Sequence, residues 1–143
     1  MAILSGRDRA AVTEELAKLA GPVKLVVFGQ QLGPDAEYSL ENERLVREVA
    51  ECSDKVAVEV YNLHIDREQA ERYGVDRVPA IVVEGARDYG IRFLGIPAGY
   101  EFTNLIDAMQ TAASGEPRLS PETLERVRGL TEPVRIQVFA TPT

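Results

Sequence analysis

Two short β-branched runs with one amphipathic stretch between them set the architecture of this chain. Residues 23–28 read VKLVVF and residues 56–63 read VAVEVYNL. Each is too short for a helix and rich enough in valine to be a mostly buried strand. Between them Leu40, Leu45, Val46, Val49 and Cys52 recur at helical spacing, which predicts a helix over residues 36–53 docking one face. A strand, a helix and a second strand in that order form a right-handed parallel crossover, the βαβ unit.

The remaining elements are punctuated by caps and breakers. Ser5-Gly6-Arg7-Asp8 is a Ser-x-x-Asp capping pattern, and it predicts a helix over 7–20 that Gly21-Pro22 stops. A short helix over 67–73 is closed by Gly74. Strands over 80–84 and 89–94 are close enough in sequence to pair as a hairpin. Phe102, Leu105, Ile106, Met109 and Ala113 then mark one face of a closing helix that ends near Ser114-Gly115. The pattern is α/β: a mixed four-stranded sheet (βαβ, α, ββ hairpin, α) flanked by helices, with an extra helix in front.

Charge and cysteine usage exclude several classes of chemistry. With 16 Lys and Arg against 23 Asp and Glu, the 143-residue chain carries −7, and no basic stripe interleaved with aromatics is present. Nucleic acid is therefore not an expected partner. The apolar runs are far shorter than the roughly 20 residues of a spanning helix, so neither is a membrane. No charged segment followed by an apolar one opens the chain, and a cytoplasmic location is expected. A single cysteine, Cys52, and a single histidine, His64, rule out an intrachain disulfide and a four-ligand Cys/His metal centre. Dithiol chemistry within these residues is excluded with them, and no metal or cofactor is expected.

The single residues that invite a catalytic reading have simpler ones. Cys52 lies on the apolar face of its helix, where a thiol packs in the core. His64 follows the second strand while Cys52 precedes it, which places them near opposite ends of the sheet and His64 in an exposed loop. Glu59 is expected on an exposed strand face, and Glu37, Glu41, Glu43, Glu48 and Glu51 as a solvated helix face.

The end of the chain repeats its beginning. ELAKLAGPVKLVVF (15–28) recurs as RVRGLTEPVRIQVF (126–139) at an offset of 111 residues, and Ser120-Pro121-Glu122 supplies a second helix start. Either two helix–strand units resemble each other by chance, or a second module begins here.

The PVKLVVF strand, the YGVDRVPAIVV segment (73–83), the RFLGIPAGYEF segment (92–102) and the tail VRIQVFATPT resemble the glutaredoxin-like protein disulfide oxidoreductases, which are built from two tandem thioredoxin-fold modules. The resemblance implies a thioredoxin-like fold over 1–115 and the helix and first strand of a truncated second module over 116–143. At the family's Cys-x-x-Cys this sequence has Ala36-Glu37-Tyr38-Ser39, so Ala36 and Ser39 stand where the two thiols would be, after a loop (29–35) about two residues longer than the family's. Exchange needs a thiolate and a second thiol to resolve the mixed disulfide, so the module is expected to be catalytically inactive. Val78-Pro79 matches the family's cis-proline dipeptide. It implies a substrate-binding turn that docks peptide backbone, or else a turn that only shapes the entry to the next strand.

The function so implied is a redox-inactive amino-terminal module of a protein disulfide oxidoreductase, a scaffold or substrate-positioning domain. Its partners would be the second module and, through the parent protein, protein thiols, disulfides or peptide segments. Two alternatives stand beside it. One is the amino-terminal domain of an alkyl hydroperoxide reductase flavoprotein, with flavin and nicotinamide sites further downstream. The other is a stand-alone thioredoxin-like binding domain, which requires residues 134–139 to be integrated in a sheet. Left unpaired, that apolar strand would invite association, and a homodimer is then expected.

Overall fold

A computed structural model describes residues 2–141. In chain order the elements are α1 (Gly6–Ala17), β1 (Val23–Gly29), α2 (Ala36–Ala50), β2 (Val56–Asn62), α3 (Arg67–Tyr73), β3 (Ala80–Glu84), β4 (Asp88–Leu94), α4 (Tyr100–Ser114) and α5 (Pro121–Arg128). The strands form one mixed sheet in the order β2-β1-β3-β4. β2 runs parallel to β1, and β3 lies antiparallel to both β1 and β4. The expected mixed four-stranded sheet and its flanking helices are therefore present.

β1 is buried on both sides. Val23, Leu25 and Val27 join the core under α1, α2 and α4, whereas Val26 and Phe28 join a smaller cluster with Ala70, Tyr73 and Val75 around α3. Phe28 meets Tyr61 and Tyr73 with ring centroids 5.6 and 6.0 Å apart, the second edge-on. Near the other end of that face the apolar lining gives way to an ion network. Lys24 Nζ lies 3.5 Å from Glu59 and 3.6 Å from Glu84, and the Tyr61 and Tyr73 hydroxyls donate to those two carboxylates. Glu59, expected on an exposed strand face, has its side chain 41% exposed there and is also held by Lys24 and Tyr61.

Helix boundaries follow local chemistry. Ser5 caps α1 in a complete capping box with Asp8. Gly74 and Gly115 take the left-handed conformation that closes α3 and α4. Gly85 is required by packing, since a Cβ there would sit 1.9 Å from the Ala112 carbonyl oxygen.

Three expectations on α2 are corrected. Leu40 is half exposed and lies off the buried stripe of Ser39, Asn42, Leu45, Val46 and Val49. Cys52 is half-buried at the edge of the core, its Sγ donating to the Glu48 carbonyl at 3.3 Å. Glu48 does not belong to a solvated face: its Oε1 and Oε2 accept the backbone N–H groups of Ile3 and Leu4, both at 2.8 Å.

The second copy of the repeat forms only in part. Ser120 caps α5 as expected, but residues 134–139 make no strand, and α5 has no buried residue. The last two residues of the VFATPT motif lie outside the described residues. Leu16, Leu19, Val23, Leu25, Val27 and Phe28 are at most 2% exposed, whereas their counterparts Val127, Leu130, Val134, Ile136, Val138 and Phe139 are 50–91% exposed.

The amino-terminal clamp makes stability pH-dependent. The Leu4 and Ile3 N–H groups hold the Glu48 carboxyl below its ordinary value. A depressed folded-state pKa contributes stability that is present above the unfolded value, near 4.3, and lost as pH falls through the folded one. Glu48→Gln should therefore lower the urea midpoint at pH 7, and its difference from the unsubstituted chain should shrink toward pH 3.

Candidate functional site

The register brings the expected site residues to one end of the sheet. β1 ends at Gly29, where Phe28 is paired with Tyr61 of β2 on one side and with Ala80 of β3 on the other. The start of α2 follows β1 across the loop, and Val78-Pro79 immediately precedes β3. The Val78-Pro79 peptide bond is cis, Pro79 is buried, and its carbonyl accepts the Gly95 N–H at 2.8 Å. Val78 is half-buried against the Phe28 cluster.

At the start of α2 the two residues in question behave differently. Ala36 opens the helix and presents no functional group. Ser39 is buried, and its Oγ accepts the Gln30 N–H at 3.1 Å. The side chain therefore ties the β1–α2 loop to the helix. Gly29 permits that approach, because a Cβ there would lie 3.0 Å from Ser39 Cβ. No base is in contact with Ser39 Oγ among the described residues, so its chemistry is that of a hydrogen-bond acceptor.

A cleft of about 660 Å³ opens beside this helix start. Ala36, Ser39 and Leu40 line it from α2, and Val60, Tyr61 and Asn62 from β2, with Ile65 and Asp66 at its far wall. It opens on the β2 flank of β1, and Val78 and Pro79, on the β3 flank, do not line it. His64, exposed as expected, has Nε2 3.3 Å from Gln30 Oε1. Cys52 and His64 stand before and after β2, at opposite ends of the sheet, and form no pair. Among the described residues no three His, Cys, Asp or Glu side chains group as a metal site, and no helix is long and apolar enough to cross a membrane.

Sequence reasoning missed Asn42. It is fully buried, one turn beyond Ser39, and neither its Oδ1 nor its Nδ2 has a hydrogen-bond partner among the described residues. The signal was available: positions 39, 42, 46 and 49 form one stripe, so a polar residue at 42 had to face the core. A buried amide without a partner is costly, and an apolar side chain of similar shape removes that cost. Asn42→Leu should raise the unfolding free energy by about 1 kcal/mol or more. Ser39→Ala, which orphans the Gln30 N–H, should lower it by about 1 kcal/mol. Both are read by urea denaturation.

No family model matches the chain. It is 27% identical over 118 residues to the F component of the alkyl hydroperoxide reductase of Staphylococcus epidermidis, covering 82% of this chain. The chain spans about a fifth (21%) of that relative's length. A protein disulfide oxidoreductase from Aeropyrum pernix K1 superposes with a TM-score of 0.78 at 27% identity, over 91% of this chain and 56% of that one. The probable thioredoxin of Methanothermobacter marburgensis is 35% identical over 85 residues, which are 59% of this chain and 92% of the thioredoxin. With one sheet order, one cis-proline turn and that identity across nearly all of a thioredoxin, the chain belongs to the thioredoxin family.

Proposed function

We propose that this chain is the redox-inactive amino-terminal module of a larger, cytoplasmic thiol–disulfide protein, in which it serves as a scaffold and positions substrate for a dithiol carried elsewhere. The observation that carries the reading is the exposed second copy of the repeat. Six apolar positions that build the core in residues 15–28 stand in solvent in residues 126–139. A helix and a prospective strand with that pattern need a core of their own, which a further module supplies. Residues 1–115 are then one module, and 116–143 the start of the next.

In this reading Ala36 and Ser39 replace the two thiols, and Val78-Pro79 keeps the turn that offers backbone to an extended peptide. The single, half-buried Cys52, engaged with the Glu48 carbonyl, supports the absence of exchange chemistry, because exchange needs an accessible thiolate and a resolving partner.

The similarity to the Staphylococcus epidermidis reductase over 82% of the chain favours a second parent, an alkyl hydroperoxide reductase flavoprotein. The reading frame beyond Thr143 separates the two. About 100 further residues with a Cys-x-x-Cys favour the two-module oxidoreductase, and several hundred with dinucleotide-binding glycine motifs favour the flavoprotein.

In an insulin-reduction assay with dithiothreitol, the 143-residue chain should give the rate of the no-protein control. Turnover above that control, abolished in Cys52→Ala, would show that the module itself performs exchange and would sink the proposal.

A further inference from the structure

The two edges of the sheet are unlike each other. At one edge β4 contains Gly90 at φ +86, a register shift against Val83/Glu84, and the Asp88–Arg92 ion pair at 2.6 Å. Bulges and charges of this kind deter an added strand. At the other edge β2 keeps unbroken parallel register with β1 from Val56 to Asn62. The Val23 N–H donates to the Lys55 carbonyl at 2.9 Å, and the Leu63 N–H donates to the Gly29 carbonyl at 3.0 Å. Odd-numbered residues of β2 therefore turn their main-chain groups toward β1, and even-numbered ones turn theirs outward. Of the outward groups, the Val56 N–H donates to the Ser53 carbonyl, and Asp66 engages both main-chain groups of Asn62. The N–H and C=O groups of Val58 and Val60 have no partner among the described residues.

The same chain carries an unpaired segment of matching pattern. In residues 134–139, Val134, Ile136 and Val138 alternate with Arg135 and Gln137, and the three apolar side chains are 63%, 81% and 84% exposed. β2 has the same alternation: Val56 and Val58 belong to the α2 side of the sheet, Val60 shares their face, and Ala57 and Glu59 lie on the other. Laid in register along β2, Val134, Ile136 and Val138 stand beside the three valines. Ile136 falls opposite Val58 whether the added strand runs parallel or antiparallel. On that face the added side chains also meet Leu40 and Ile65, which are exposed in the cleft at the start of α2.

The tail leaves its own module on another flank. Arg118 pairs with Asp107 of α4 at 3.1 Å, and α4 packs chiefly on β3, two strands away from β2. We propose that residues 134–139 of a second copy of this chain add to the β2 edge, each copy giving its tail to the other in a two-fold pair. Main-chain hydrogen bonds to Val58 and Val60 and the burial of alternate apolar side chains supply the contact, with no ion pair required. The inference goes beyond the proposed function. Strands of a further module would claim the same residues 134–139, so completing that module and pairing with a second copy exclude each other.

Sedimentation equilibrium of the 143-residue chain should show a monomer–dimer equilibrium below about 1 mM. Ile136→Pro removes an N–H at a position that stands in solvent, and it should weaken the dimer at least about tenfold. The acceptor edge is read by cross-linking in a Cys52→Ala background. A chain with Val58→Cys, mixed with a differently tagged chain with Ile136→Cys and oxidised in air, should give the mixed disulfide dimer. Tyr89→Cys on β4 in place of Val58→Cys should give little of it. A monomer up to about 1 mM, a dimer indifferent to Ile136→Pro, or equal cross-linking to β4 would each overturn the proposal. So would a chain carrying both Val58→Cys and Ile136→Cys that closes its disulfide only within itself. Insulin inertness is measured separately, so a failure here leaves the redox-inactive reading standing.

Discussion

The structure depends on β1 being buried on both faces and paired on both edges. Leu25, Val26, Val27 and Phe28 are successive residues, and each is at most 1% exposed. Such a run can exist only with strands on both sides, one layer of helices below and another above, and the chain meets each requirement in turn. β2 arrives through the α2 crossover, β3 returns antiparallel, α1, α2 and α4 cover one face, and α3 covers part of the other. Where α3 does not reach, the sheet face carries Lys24 among Glu59 and Glu84. Burial works against the Lys24 charge, but the Tyr73 hydroxyl and the two carboxylates outweigh it and raise its pKa.

The end of the sheet where β1 meets α2 shows what a thioredoxin fold does with this corner when no thiol occupies it. A helix start can acidify a thiolate, since its N–H groups and dipole favour negative charge. Here the loop is drawn in by Ser39, which accepts the Gln30 N–H, and Gly29 lets the side chain close on the strand. The Ser39 hydroxyl is thereby part of the packing. The cis turn at Val78-Pro79 persists beside it, anchored through the Pro79 carbonyl.

How much was legible in the sequence follows the range of the forces involved. The strands over 80–84 and 23–28, the short helix over 67–73 and the Ser5 and Ser120 caps were readable because β-branched runs, glycine stops and capping serines act locally. The resemblance carried the cis turn at Val78-Pro79. Glu48 was not legible, because its partners are backbone N–H groups 44 and 45 residues away, and nothing in the side-chain pattern of α2 announces them. The partner of Glu59 was not legible for a similar reason: Lys24 reaches it from another strand. Asn42 was legible by spacing alone, but as a polar member of a stripe it adds nothing to the apolar periodicity that announces the helix.

The tail separates local from non-local structure most cleanly. Residues 126–139 repeat the pattern of residues 15–28, and Ser120-Pro121-Glu122 supplies a helix start, so both a helix and a strand are expected, yet only the helix forms. An α-helix closes its hydrogen bonds within its own segment, and α5 has a serine cap, proline in its first turn, and the Glu122–Arg126 pair one turn apart. A strand has no such internal solution, because each of its N–H and C=O groups needs a neighbouring chain. β1 finds β2 and β3. Residues 134–139 keep the apolar positions of β1 except for Gln137 in the place of Val26, and they find no strand, so they remain outside any sheet with Ile136, Val138 and Phe139 in solvent. Apart from that one change in the apolar positions, the two copies of the strand differ in surroundings: β1 has a strand on each edge, and residues 134–139 have none among the described residues.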